Sequence, residues 1–320
     1  MQRRDIPGTD LSLSVVGFGC WAIGGLWWGN DVTDGDSAGA IEAALEAGIN
    51  WFDTAPVYGH GHADEVLVQA LGSRRHDVII ATKVGVRWDN PQVHAQSDLS
   101  PAHVRADTEA SLRRLGLDTI PLLQVHWPCE RGTPLEATLA ELVRLRDEGK
   151  IRHIGLCNYG AAELRRALDL APIATLQTAY SLLRREIEGD VLPVARGEGS
   201  PRPIGVLAYE PLARGLLTGK FRAIPRFPKS DLRARDERFR GARFLRALDL
   251  VMRLDPVAKR LDVPLSALAV AWVCRQPGVT AAIVGAKRAS QIRESAAAAA
   301  LLDHPTLWPV VDKRIAGWGG

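Results

Sequence analysis

Short apolar runs recur along the 320-residue chain, with helical patterns between them. Eight runs read as strands: 15–20, 49–54, 78–84, 122–127, 154–158, 175–179, 204–209 and 281–284. Most lack the apolar–polar alternation of a half-exposed strand, so each is expected to be covered on both faces. Helical patterns occupy 37–47, 63–71, 101–115, 135–147, 161–168, 249–261, 265–275 and 291–302, while 183–195 reads as mixed turn and helix. The first helix is expected to open on a cap at Ser37 and to stop before Gly48. Pro101 stands in a first turn, where its missing N–H costs nothing.

Strands that alternate with helices, with no linker between them, predict an α/β fold. The expectation is a single closed (β/α)8 TIM barrel over residues 1–320, in preference to an open sheet. Residues 3–13, with a Pro7-Gly8-Thr9 turn, predict an N-terminal β-hairpin closing the barrel bottom. Two stretches, 85–99 and 219–241, exceed normal loop length, and long βα loops at the top face commonly shape a pocket. The insertion 197–203 precedes the seventh strand and is expected on the bottom face as a structural loop.

Composition narrows the function. Lys and Arg total 40 against 37 Asp and Glu, a net charge of +3, and the basic pairs Arg113-Arg114 and Arg184-Arg185 are isolated; no nucleic acid is expected. Cys20, Cys129, Cys157 and Cys274 are far apart and form no CxxC pattern. That spacing disfavours a zinc site or disulfide scaffold and favours a reducing compartment. The start, Met1-Gln2-Arg3-Arg4-Asp5, leads into no apolar run, and the apolar stretch 267–274 is too short for a membrane span. A cytoplasmic protein without signal peptide or membrane span is the expectation.

Candidate chemistry gathers at strand ends. Asp53, Lys83 and His126 fall at the ends of the second, third and fourth strands, and Tyr58 follows Asp53 in its loop. On a barrel these positions converge at the top. A phenol beside an ammonium is a better proton donor, a carboxylate can hold that ammonium, and an imidazole can orient a carbonyl. Singly, each residue also has a structural reading: Asp53 as a turn cap, Asp53–Lys83 as an ion pair, Tyr58 as packing, His126 as a buried hydrogen-bonded group. Joint placement favours chemistry.

Over residues 3–302 the chain resembles the aldo-keto reductases, in the branch similar to bacterial and plant members and to potassium-channel β subunits. The resemblance rests on Gly17-Phe18-Gly19-Cys20-Trp21, "INWFDTAPVYGHGHADEVLVQAL", "VIIATKVG", "LQVHWP", "GLCNYG", "LQTAYSLL", "LAYEPLARGLLTGK" and "AAIVGAKRASQIRES", in that order. It implies a catalytic tetrad of Asp53, Tyr58, Lys83 and His126. It also implies hydride transfer from NADPH (NAD being the alternative coenzyme) to an aldehyde or ketone, without metal. The implied coenzyme contacts are Trp21, then Asn158 and Gln177 at the carboxamide and Tyr209 against the ring. Pro211, Leu212, Arg214, Gly215, Leu217 and Lys220 fall at the diphosphate, and Gly285, Lys287, Gln291, Glu294 and Ser295 at the adenosine phosphate. Lys287 and Arg288 are the cations suited to a 2′-phosphate.

The chain departs from the family pattern at Cys157, Glu210 and Ser295, where serine, serine and asparagine are usual, and at Cys129, where an acid is common. A charged Glu210 would repel a diphosphate if it pointed inward, so it is expected to turn away or pair with Arg214. Trp21, Trp27, Trp28, Trp88 and Trp127 lie at or beyond strand ends, as an aromatic wall or as a cover for the barrel top. The partner is then a small carbonyl or sugar, with homo-oligomer formation left open. Two other readings stand beside carbonyl reduction: an NAD(P)-dependent sugar or alcohol dehydrogenase, and a cofactor-bound regulatory or binding subunit.

Overall fold

The eight apolar runs form a closed barrel of parallel strands. They are β1 Val16–Gly19, β2 Trp51–Asp53, β3 Ile79–Val84, β4 Ile120–Val125, β5 Ile151–Cys157, β6 Ile173–Ala179, β7 Gly205–Tyr209 and β8 Val279–Gly285. Each strand pairs with its predecessor in sequence, and β8 returns to β1 with Ile283 opposite Gly17. The computed structural model describes residues 1–28, 32–87 and 96–318. The helices are α1 Asp34–Glu46, α2 His62–Leu71, α3 Pro101–Leu115, α4 Leu135–Asp147, α5 Ala161–Leu170, α6 Val191–Ala195, α7 Gly241–Arg260, α8 Leu265–Cys274, α9 Ala289–Ala296 and α10 Leu307–Ile315.

Strand alternation builds two apolar layers. Trp51, Ala81, Leu122, Leu207 and Ala281 point into the barrel, where Ile6, Leu11 and Leu13 of the N-terminal hairpin join them. Phe18, Phe52, Ile80, Leu123, Leu176, Val206 and Val284 point outward into the larger cluster shared with the helices. The hairpin, Arg3–Asp5 against Ser12–Ser14, plugs the bottom as expected. Its backbone is stitched to the barrel by Trp51 Nε1, which donates to Ser14 O at 2.8 Å, and Asn50 Nδ2, which donates to Ser12 O at 2.8 Å. The Trp51 indole needs a neighbour without a side chain: a Cβ on Gly17 would lie 2.1 Å from it. The 197–203 loop is at the bottom too, tied down by Arg202 Nη2 donating to Ala171 O and Ser200 Oγ donating to Val194 O.

Boundaries differ from the sequence reading in ways that have physical causes. α1 is capped by Thr33, not Ser37. Thr33 Oγ1 accepts the Asp36 N–H and Asp36 accepts the Thr33 N–H, a reciprocal capping box, while the Ser37 hydroxyl donates to Thr33 O. α7 begins eight residues before the expected 249, because Phe244 and Ala247 extend the apolar face of Leu250, Val251 and Leu254 without any side-chain cap to announce its start. The expected 291–302 helix divides into α9 and a tighter turn, Ala297–Leu301, and α10 was not anticipated. β4 stops at Val125, so His126 and Trp127 lie just past the strand. The 219–241 stretch contains short turns at Leu232–Ala234 and Glu237–Phe239. Within 85–99, Val86–Arg87 pairs with Gln96–Ser97; Trp88 lies outside the described residues.

The capping box yields a prediction. Thr33→Ala removes the hydroxyl that accepts the Asp36 N–H, leaves the Thr33 backbone N–H that Asp36 accepts, and is expected to lower unfolding free energy by about 1 kcal/mol in urea titrations. No change in the urea midpoint would contradict the cap.

Candidate active site

The two-residue period that fills the barrel also sets polar groups above the apolar layer. Asp53 follows inward-facing Trp51 by two, Lys83 follows Ala81, Gln124 follows Leu122, and Tyr209 follows Leu207. These side chains meet at the carboxyl ends of the strands. Lys83 Nζ donates to Asp53 Oδ2 at 2.6 Å and to Thr54 O at 3.0 Å. Asp53 Oδ1 accepts from Gln177 Nε2 at 2.7 Å and from Gln124 Nε2 at 3.1 Å. The lysine and carboxylate are 1% and 4% exposed, so the pair is sealed from bulk water.

Tyr58 sits over this pair, with Lys83 Nζ 4.9 Å from its ring centroid. His126 meets its ring edge-on at 5.9 Å, and Trp21 stacks on it at 6.3 Å. The loop reaches this position because Gly59 and Gly24 touch: a Cβ on Gly59, whose φ is 62°, would lie 2.0 Å from Gly24 O. Thr54 also donates to buried Asp64 at 2.5 Å, and Asp64 accepts from Arg114 Nε at 2.8 Å, anchoring the β2 end to α2 and α3. The four residues expected to act together are thus adjacent.

Their electrostatics add burial to the expected effect of Lys83. Burial pushes the Tyr58 phenol up, and although the Lys83 ammonium pulls it down, the net shift is upward. Burial opposes the Lys83 charge, but the Asp53 carboxylate, together with Tyr58 and Cys157, raises the ammonium pKa overall. Burial, then the Lys83 charge, holds His126 well below the ordinary imidazole range. At neutral pH the site therefore presents a protonated phenol, an ammonium paired with a carboxylate, and a neutral imidazole.

From Tyr58 a cleft of about 980 Å³ runs across the barrel top to α9. Trp21, Asn158, Gln177, Tyr209, Pro211, Leu212, Arg214, Gly215 and Lys220 line it, as do Gly285, Lys287, Gln291, Glu294 and Ser295. Leu217 does not; it is packed in the core. Trp27, Trp28 and Trp127 also border the cleft. Some of these side chains are already engaged. Asn158 Nδ2 donates to His126 O at 3.0 Å and Asn158 Oδ1 accepts the Tyr209 hydroxyl at 2.8 Å. The Gln177 amide N–H2 is directed to Asp53 and Gln124.

Glu210 pairs as expected, and further than expected. It accepts from Arg214 Nε at 2.6 Å and from Arg238 Nη1 at 2.8 Å. Asp236 accepts from both arginines, at 3.1 and 2.7 Å. Sequence reasoning missed Asp236 and Arg238, which lie in a long loop with no periodic signal. It also missed Gln124, whose signal was available: a polar residue inside an apolar strand, two before His126.

A pocket of this size, at the upper end of the ~300–1,000 Å³ usual for small-molecule sites, accommodates a ligand larger than a simple carbonyl. Ser266 Oγ and Trp28 Nε1 belong to residues of its wall and are buried without a hydrogen-bond partner among the described residues, while Lys220, Lys287 and Arg288 place cations along it. These features fit an anionic, extended cofactor. The sequence model of the aldo/keto reductase family matches residues 15–305. The chain belongs to that family.

Among aldo-keto reductases it is 39% identical over 295 residues to aldo-keto reductase YhdN of Bacillus subtilis strain 168, covering 91% of this chain and 87% of the relative. It is 35% identical over 314 residues to the NADH-specific methylglyoxal reductase of Escherichia coli K12, covering 93% of each. The solved glycerol dehydrogenase of Gluconobacter oxydans superposes with a TM-score of 0.87 at 37% identity, over 98% of this chain and 95% of that one. Its relatives also include plant proteins named as probable potassium-channel β subunits, the branch the motifs suggested. This aldo-keto reductase is an NAD(P)H-dependent oxidoreductase that reduces carbonyl groups to alcohols. Among the described residues no helix is long and apolar enough to cross a membrane.

Behind the tetrad lies a further buried acid. Asp107 on α3 accepts the Gly85 N–H at 3.0 Å, where β3 ends, and borders a small void with Lys83 and His126. Burial pushes its carboxyl from 3.8 to about 6. The Gly85 N–H, His103 and Arg114 lower it, and Asp64 adds to the rise. A folded pKa above the unfolded value stabilises the fold fully below about pH 4, and that contribution is lost as pH rises through about 6. Asp107→Asn, which keeps an acceptor for Gly85, is therefore expected to be more stable than wild type at pH 8 by up to about 3 kcal/mol, and equal to it at pH 4. Urea titrations at the two pH values measure this; a difference independent of pH would refute it.

Proposed function

We propose that the Asp53, Tyr58, Lys83 and His126 cluster is the catalytic centre for reduction of an aldehyde or ketone. The observation that carries the reading is a protonated phenol within reach of an ammonium and a neutral imidazole on the floor of one cleft. When bound, a nicotinamide coenzyme supplies hydride to the carbonyl carbon. Tyr58 gives its proton to the carbonyl oxygen, which becomes more basic than a phenolate as charge develops. Lys83 stabilises the phenolate left behind, and Asp53 keeps Lys83 charged and aimed. Neutral His126 can hydrogen-bond the carbonyl oxygen without competing for the proton. Trp127, stacked on His126 at 4.7 Å, fixes the imidazole plane.

Residues that would hold the coenzyme divide along the cleft. Asn158, Gln177 and Tyr209 border its reacting end. Arg214, Gly215 and Lys220 border the middle, and Lys287, Arg288 and Gln291 the far end. Lys287 and Arg288 at the start of α9 support a preference for NADPH, because the extra 2′-phosphate suits cations at a helix N-terminus. One relative is named as NADH-specific, so the preference rests on these two side chains. A second reading, alcohol oxidation with NAD(P)+, is favoured by the likeness to a glycerol dehydrogenase and uses the same groups in reverse. The free thiol state of all four cysteines supports a reducing compartment such as the cytoplasm.

Tyr58→Phe keeps most of the ring's packing and removes the proton. Carbonyl turnover is expected to fall about 10²–10⁴-fold while NADPH titration by fluorescence is unchanged; equal kcat for variant and wild type would end the assignment. Lys287→Ala is expected to weaken NADPH about tenfold and NADH little. Equal loss for both would instead reduce Lys287 to its structural hydrogen bond with Trp28 O.

A further inference from the structure

Trp27 differs from the other tryptophans of the cleft. Its backbone is left-handed, with φ 66°, which is an outlier for a bulky residue. The residue is 42% exposed. The neighbouring Trp28 is half-buried and meets Trp21 edge-on at 5.2 Å. The strained backbone is held in place from across the cleft. The Leu232 N–H donates to Trp27 O at 2.8 Å, and Trp28 pairs with Asp231.

Neither the backbone conformation nor the exposure favours folding. A solvent-facing indole forgoes burial, and left-handed φ strains a residue with a Cβ. Were Trp27 a cover for the barrel top, its ring would pack on neighbours. Among the described residues no aromatic or cation partner is seen for its ring, yet the residue lines the cleft that holds Tyr58. The rings inward of it form a continuous band. Trp127 stacks on His126, His126 meets Tyr58, Tyr58 stacks with Trp21, and Trp21 meets Trp28. Trp27 precedes Trp28 in sequence and lines the same cleft, with no aromatic partner for its ring among the described residues. Such a face is matched best by another flat, weakly polar ring.

We propose that Trp27 is a specificity-determining residue that stacks on an aryl group carried by the carbonyl substrate. The proposal rests on the carbonyl-reduction reading above. It implies that aryl aldehydes and ketones are gripped at two points, the carbonyl at Tyr58 and the ring at Trp27. A three-carbon carbonyl reaches only the first point.

The test compares wild type, Trp27→Gly and Trp27→Phe with 2-naphthaldehyde and methylglyoxal as probes. Trp27→Gly is expected to raise KM for 2-naphthaldehyde about tenfold, with kcat within about twofold and both constants for methylglyoxal unchanged. Glycine accepts a positive φ, so its urea midpoint is expected to hold, which a structural role would not allow. Trp27→Phe is expected to recover most of the affinity. An unchanged KM for 2-naphthaldehyde, or an equal rise for both probes, would overturn the stacking role. A wild type inert toward both probes would instead sink the carbonyl-reduction reading and this inference with it.

Discussion

The buried contact between Lys83 and Asp53 is the constraint on which the rest of the site depends. Taking two charges out of water costs several kcal/mol per ion, and their attraction offsets this only if the remaining donors and acceptors are satisfied. Here they are. Lys83 also donates to Thr54 O, and the second Asp53 oxygen accepts from Gln124 and Gln177. Those partners come from β2, β3, β4 and β6, so the pair is complete only in a closed barrel. Such a pair is weak evidence for stability. It is better understood as the means of holding an ammonium beneath a phenol where water cannot screen it.

That arrangement divides the cleft into two electrical regimes. Around Tyr58 the charges cancel: a paired lysine and carboxylate, a neutral imidazole and an un-ionised phenol. Towards α9 the wall carries Lys220, Lys287 and Arg288. Between them, Glu210 and Asp236 each accept from Arg214 and Arg238, so four charges sum to zero. Glu210, Ala213 and Arg214 all have positive φ, at 53°, 46° and 57°. The ion pairs hold a backbone that these side chains would not choose alone. An acid at position 210 is therefore not an intruder in the cleft; it is bound into the framework of the loop.

Much of this was legible because strand periodicity is local. The apolar runs, and the polar residue ending several of them, follow from the sequence alone. Asp53, Lys83 and His126 could be placed at one rim before any contact was known. What escaped depends on encounters between distant segments. Thr33 caps α1 because Asp36 reaches back to it, a pairing that Ser37 obscured by offering a commoner cap residue at a similar position. Asp236 and Arg238 matter because a long loop folds onto the β7 end, and nothing in their spacing announces it. The Lys83 charge that pulls the Tyr58 phenol down was readable from the sequence, but the burial that outweighs it was not.

Register is the last link between the fold and its chemistry. Lys83 lies opposite Gln124 and Asp53 opposite Ala81 in the barrel ladder. Because side chains alternate with a period of two, a one-residue slip of β3 would send Lys83 outward among the helices and put Thr82 or Val84 in its place. The slip would also turn Ala81 away from the interior layer and force Ile80 or Thr82 into it, against Trp51 and Leu122. Packing thus enforces the same register that the chemistry requires. The hydrophobic layer beneath the site selects which side chains can form it, and the charged layer adds a second penalty for any other alignment. An ammonium displaced outward would face apolar neighbours with no carboxylate within reach, and that is why the pattern of small and large apolar residues in the barrel specifies the position of a lysine two residues above it.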